Sequence, residues 1–201
     1  MRMKRNLPII FLSILIASTA FASANVGDKA PDFTLEDPIG ISVSLSDFAG
    51  KYVVLEWINY DCPFVKKHYE SGNMQMLQAK YTEEGVVWLA INSSAKGKQG
   101  NFTSKEILKR SRDHQAAFSL YLVDENGEVG RAYGAKTTPH MYIIDPEGQL
   151  VYVGGIDDIR STNVKDVEKA IPYVANALDA ALAGKKIKKA NTKPYGCSVK
   201  Y

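Results

Sequence analysis

Cysteine is scarce in this chain. Its 201 residues include two, Cys62 and Cys197, far apart in the sequence. No Cys-x-x-Cys pair occurs, because Val65 stands three positions after Cys62. A local dithiol is therefore excluded, and any disulfide must join distant segments or use an outside thiol. Histidine is nearly as scarce: His68, His114 and His140 have no zinc-site spacing. No segment is of low complexity. The formal charge is only +3, and Arg2, Lys4 and Arg5 account for all of it. The remainder is near neutral, so a basic surface for nucleic acid or membrane is not supported. The longest apolar run, Leu7 to Ala17, is too short to span a bilayer.

What is present begins with that run. A basic start, an apolar stretch and Ala22-Ser23-Ala24 make residues 1–24 a secretory signal peptide, removed at maturity. The chain is expected to be exported, to the periplasm, with no membrane attachment after cleavage. Disulfides persist in such compartments.

The mature chain is organised around Cys62. Tyr52 to Ile58 reads as a buried strand, and Asn59 to Asp61 break it. Pro63 suits the first position of a helix, which leaves Cys62 at the helix start. Free N–H groups and the positive end of the helix dipole favour thiolate there, and Lys66 and Lys67 add charge one turn along. A structural Cys62–Cys197 bridge or an inert buried thiol is the competing reading.

The remaining elements read in order as β-β-α-β-α-β-α-β-β-α. The expectation is one α/β domain over residues 25–184, a central sheet with helices on both faces. Asn73 is placed to cap a second helical segment, and Thr103 with Glu106 to form a capping box. Thr137-Thr138-Pro139 precedes a hairpin built from Met141–Asp145 and Gln149–Gly154. Residues 185–201 form a basic tail with no helical period, carrying Cys197; its lysines read as a solvated run.

Strand, loop, Cys-Pro, helix and a later Thr-Pro before a hairpin resemble the thioredoxin fold. Gly27 to Leu35, Arg131-Ala132-Tyr133-Gly134 and Met141 to Asp145 resemble the peroxiredoxin-like redoxin group, the alkyl hydroperoxide reductase/thiol-specific antioxidant family. The resemblance implies a thioredoxin-like core, a mixed sheet with an N-terminal strand extension. It implies that Cys62 is the nucleophile and that Pro139 is a cis-proline beside it. Thr138 would offer its backbone to an extended substrate, with Asn59 and Pro63 lining the site. Peroxiredoxins carry a proline, a threonine and an arginine that activate peroxide; Leu55, Asn59 and Pro139 stand at those places, so peroxidase action is expected to be poor.

Cys197 is then the expected resolving thiol, since no other sulfhydryl exists. Its docking would be reversible if few apolar contacts hold the tail. No cofactor and no metal are expected: copper-binding relatives of the fold use Cys-x-x-x-Cys, and here Lys66 takes the second place. His68 is expected on a helix surface, His114 without a role, and His140 near Cys62 as a proton partner. The implied function is an exported thiol-disulfide oxidoreductase whose partner is a protein thiol, disulfide or reductant. The alternatives are an antioxidant peroxidase and a non-enzymatic binding module with a structural disulfide.

Overall fold

A computed structural model describes residues 24–201. The expected leader lies outside the described residues, apart from Ala24. The elements in chain order are β1 (Thr34–Glu36), β2 (Ser42–Ser44), β3 (Val53–Trp57), α1 (Pro63–Glu70), α2 (Asn73–Glu83) and β4 (Val87–Asn92). There follow α3 (Ser104–Asp113), β5 (Leu120–Val123), α4 (Glu128–Tyr133), β6 (Thr137–Thr138) and β7 (His140–Ile144). β8 (Leu150–Gly154), α5 (Tyr173–Leu182) and β9 (Cys197–Ser198) complete the chain. Two 3-10 turns, Leu45–Phe48 and Val164–Lys169, were not foreseen as helical.

Seven strands form one mixed sheet in the order β2-β1-β5-β4-β3-β7-β8. β3 pairs with β4, and β4 with β5, in parallel; β7 runs antiparallel to β3 and β8 to β7. Every residue of β3, β4 and β7 is buried. Such apolar runs belong to strands covered on both faces. On one face Val54 and Ile58 pack with Val65 and Tyr69 of α1, Met74 and Tyr81 of α2 and Leu178 of α5. On the other, Leu55 and Trp57 pack with Val129 and Tyr133 of α4 and with Phe33 of the N-terminal extension. The sheet is therefore thioredoxin-like, with helices on both faces.

Local signals explain the helix ends. Pro63 occupies the first turn of α1 behind Cys62. Thr103 and Glu106 form the expected box at α3: the Thr103 N–H donates to Glu106 Oε2 at 2.8 Å. Asn73 is not the cap of α2; Gly72, in the left-handed region, is, and Asn73 is the first helical residue.

The tail is not free. Val153 N–H donates to the Ala190 carbonyl and Thr192 N–H to the Val153 carbonyl, at 2.9 and 3.0 Å. β9 then pairs antiparallel with β6, Thr138 opposite Cys197. Ala95 N–H donates to the Lys200 carbonyl at 2.8 Å, and Tyr201 OH to the Ala135 carbonyl at 2.8 Å. Tyr195 is buried. Lys185, Lys186, Lys188, Lys189 and Lys193 are exposed. The tail is thus solvated in its lysines and fastened to the domain beyond them.

Candidate active site

Cys62 lies at the N-cap of α1 and is fully buried. Its thiol donates to the Thr138 carbonyl at 3.0 Å. The Thr138–Pro139 bond is cis. Pairing of β6 with β9 carries Cys197 to the same place, and both cysteines are free thiols. Four of the expected residues, Cys62, Cys197, Thr138 and Pro139, are thereby brought together, and Pro63 is exposed beside them.

Burial pushes the Cys62 pKa up, but hydrogen bonds outweigh it and the net direction is down. They come from the Cys197 side chain, the Thr138 side chain, and the N–H groups of Cys197 and Val65. The Thr138 hydroxyl is buried without a partner while Cys62 is a thiol, and ionised sulfur gives it an acceptor. Cys197 moves oppositely, to about 11, through its own burial first and then its bond to Cys62 and the nearby negative charge. The two thiols are therefore shifted apart, Cys62 towards the more acidic side and Cys197 towards the less acidic.

Two expectations, for His68 and His140, are corrected, and Lys67 is engaged away from the sulfur. Its ammonium is buried against Asp157 Oδ2 (3.3 Å), the Ile159 carbonyl (3.0 Å) and Tyr195 OH (3.1 Å). His68 is buried, not on the surface. Asn73 Nδ2 donates to its Nδ1 at 3.0 Å, so Nε2 carries the proton towards Tyr195 OH, also at 3.0 Å. Burial, then the charge of Lys67, pushes the His68 pKa down to about 3. His140 is paired across the sheet with Trp57, on the face opposite Cys62, and its Nδ1 meets Tyr142 OH at 3.0 Å. Burial pushes its pKa down to about 3 as well. The Asn59 side chain accepts from Asp61 N–H (2.9 Å) and donates to the Gln99 carbonyl (3.3 Å), so it shapes the loop before Cys62.

One residue escaped notice. Glu56 sits fully buried in β3 and accepts from Trp88 Nε1 (2.8 Å), Gln78 Nε2 (3.0 Å) and Tyr69 OH (3.2 Å). Burial raises its pKa to about 7, with those hydrogen bonds opposing. A single acid inside an otherwise apolar strand was the available signal. Among the described residues, no three His, Cys, Asp or Glu side chains converge as a metal site. No described helix is long and apolar enough to cross a membrane.

Residues 26–153 match the model of the AhpC/TSA family. The chain belongs to that family. It is 31% identical to the thiol-disulfide oxidoreductase ResA of Bacillus subtilis over 149 residues, 72% of this chain and 77% of that one. It is 28% identical to the peroxiredoxin Bcp of the same organism over 169 residues, 76% and 92% of the two chains. The structure of an uncharacterized conserved protein from Geobacillus kaustophilus superposes with a TM-score of 0.75 at 31% identity, covering 91% and 94%. The protein is accordingly an oxidoreductase of the redoxin type.

Proposed function

We propose that the protein is an exported thiol-disulfide oxidoreductase in which Cys62 is the nucleophile and Cys197 the resolving thiol. The observation that carries this reading is the β6–β9 pairing, which sets Cys197 opposite Thr138 with its thiol on the Cys62 sulfur. Cys62 thiolate attacks one sulfur of an oxidant disulfide and expels the other as thiolate. Cys197 then attacks the Cys62 sulfur and displaces the second thiolate, its proton going to the leaving group. The oxidant gains two electrons and the protein gains a Cys62–Cys197 disulfide, which an outside dithiol reduces. The Thr138–Pro139 segment and exposed Pro63 are the surfaces for the partner thiol or disulfide. The basic, apolar and small-residue order of residues 1–24 supports export to the periplasm.

A second reading, a peroxidase acting on a hydroperoxide, is favoured by the burial of Cys62 beneath the tail, where a small oxidant penetrates more readily than a protein. It is opposed by Leu55, which is apolar and buried, and by Asn59, whose side chain is already engaged. Mass spectrometry after oxidation tests both. With a small disulfide, wild type should close the Cys62–Cys197 bond, Cys197→Ser should hold the adduct on Cys62, and Cys62→Ser should stay reduced. Equal oxidation of Cys62→Ser and wild type would overturn the assignment. Faster oxidation by hydrogen peroxide than by the disulfide would promote the peroxidase.

A further inference from the structure

Two residues before Cys197, the tail sends a tyrosine hydroxyl into a buried charged cluster that the thiol chemistry does not use. Tyr195 OH accepts from Lys67 Nζ (3.1 Å) and His68 Nε2 (3.0 Å) and donates to Asp157 Oδ1 (2.5 Å). Lys67 and His68 belong to α1, the helix that begins at Cys62, and Asp157 follows β8. Lys67 also pairs with Asp157, so the hydroxyl closes a cluster whose members come from three separate stretches of chain. The tyrosine ring packs edge-on against Phe64, 5.8 Å between centroids, in the first turn of α1.

Only Gly196 separates Tyr195 from Cys197. Its φ of 148° favours glycine, and a Cβ there would lie 2.0 Å from the Thr138 carbonyl oxygen. The position of the tyrosine is thus passed to the cysteine through one residue pressed against β6. Phenylalanine would pack equally well on Phe64; the hydroxyl adds a fixed anchor to groups already immobilised beside Cys62.

We propose that Tyr195 is a positioning residue: its hydroxyl, held by Lys67, His68 and Asp157, latches the tail over Cys62 and sets Cys197 against it. This rests on the reading of the two cysteines as one redox couple. The latch acts on the reduced protein by keeping Cys62 covered. It acts on the oxidised intermediate by keeping the resolving thiol within reach. Resolution is then nearly intramolecular, and its rate follows the fraction of time the tail is docked.

The test is Tyr195→Phe in the full mature chain. Reduced protein is treated with iodoacetamide, and alkylation of Cys62 and of Cys197 is followed separately by peptide mass spectrometry. Cys62 should react at least about tenfold faster than in wild type, the effect of about 1.4 kcal/mol on tail opening. Cys197, already partly exposed, should change by less than about twofold. After a hydrogen peroxide pulse, dimedone should trap more Cys62 sulfenic acid in the variant, because resolution is slowed. Wild-type alkylation of Cys62 in folded Tyr195→Phe would overturn the latch, as would a parallel rise at both cysteines, which reports general loosening. If Tyr195→Phe loses its cooperative unfolding transition, His68→Gln, which perturbs one donor to the same hydroxyl and leaves the Lys67–Asp157 pair intact, is judged by the same criteria. Wild type that closes no Cys62–Cys197 bond on oxidation overturns the redox couple instead, whereas the alkylation result judges the latch alone.

Discussion

The two cysteines meet at Thr138 and are otherwise opposite. Cys62 is enclosed, starts a helix and is surrounded by donors. Cys197 is partly exposed, lies in a two-residue strand and has its pKa pushed up by burial and by Cys62. Each thiol shifts the other, Cys62 down and Cys197 up, so proximity makes the thiols unlike rather than alike. Short-range donors account for the downward shift of Cys62, and Lys67, one turn along, is engaged elsewhere. Lys67 grips Asp157 and Tyr195, and the largest causes of the downward Cys62 shift are the hydrogen bonds from Cys197 and Thr138.

Substitution of each partner in turn sharpens that contrast. The largest effect is expected from Cys62→Ser, which should lower dithiol-driven reduction of a small disulfide more than about a thousandfold, whereas Cys197→Ser should still make the first exchange and accumulate as the Cys62 adduct. Replacing Lys67 by Met strands Asp157 in the interior and should cost about 3 kcal/mol of unfolding free energy in urea.

Glu56→Gln tests the acid on the Cys62 face of the sheet. The folded carboxyl keeps its proton to about 7 and the unfolded one to about 4.5, so the folded state binds more protons between those values. Its favourable contribution is complete below about 4.5 and is lost as pH rises towards 7. Glu56→Gln should therefore gain stability relative to wild type as pH rises, up to about 3 kcal/mol above pH 7, and lose that advantage near pH 4. Urea titrations at a series of pH values would show it, and a pH-independent difference would refute it.

Gly196→Ala should loosen the tail by about 2 kcal/mol, through positive φ and contact with the Thr138 carbonyl, seen as faster alkylation of Cys62. The smallest effect is expected from Lys66→Ala. It should leave the Cys62 titration, read by thiolate absorbance, unchanged and alter stability by less than about 0.5 kcal/mol.

What was legible in the sequence was local or periodic. Cys62-Pro63 at a helix start, the Thr103/Glu106 box and the hairpin after Pro139 each depend on residues a few positions apart, and each is present. The buried runs gave the central strands. What could not be read depends on remote partners. Nothing in Lys66-Lys67-His68 says which side chain turns inward, because that is decided by Asp157 and Tyr195. Nor does an aperiodic, lysine-rich tail reveal that its last residues pair with β6. Gly127 and Gly130 were unremarkable in sequence, yet a Cβ at either would strike the ring of Tyr201.

The β6–β9 pairing means that the chain carries its own peptide ligand. A segment tethered this way faces its binding edge at an effective concentration on the order of millimolar. On the proposed reading of Thr138 as a partner-binding edge, an external peptide is a competitor, and at ordinary concentrations it loses unless it binds much more tightly than Cys197–Ser198 does. When the tail must first lift, the observed rate of partner capture stops rising with partner concentration. That plateau measures how often the tail opens, not how fast sulfur attacks sulfur.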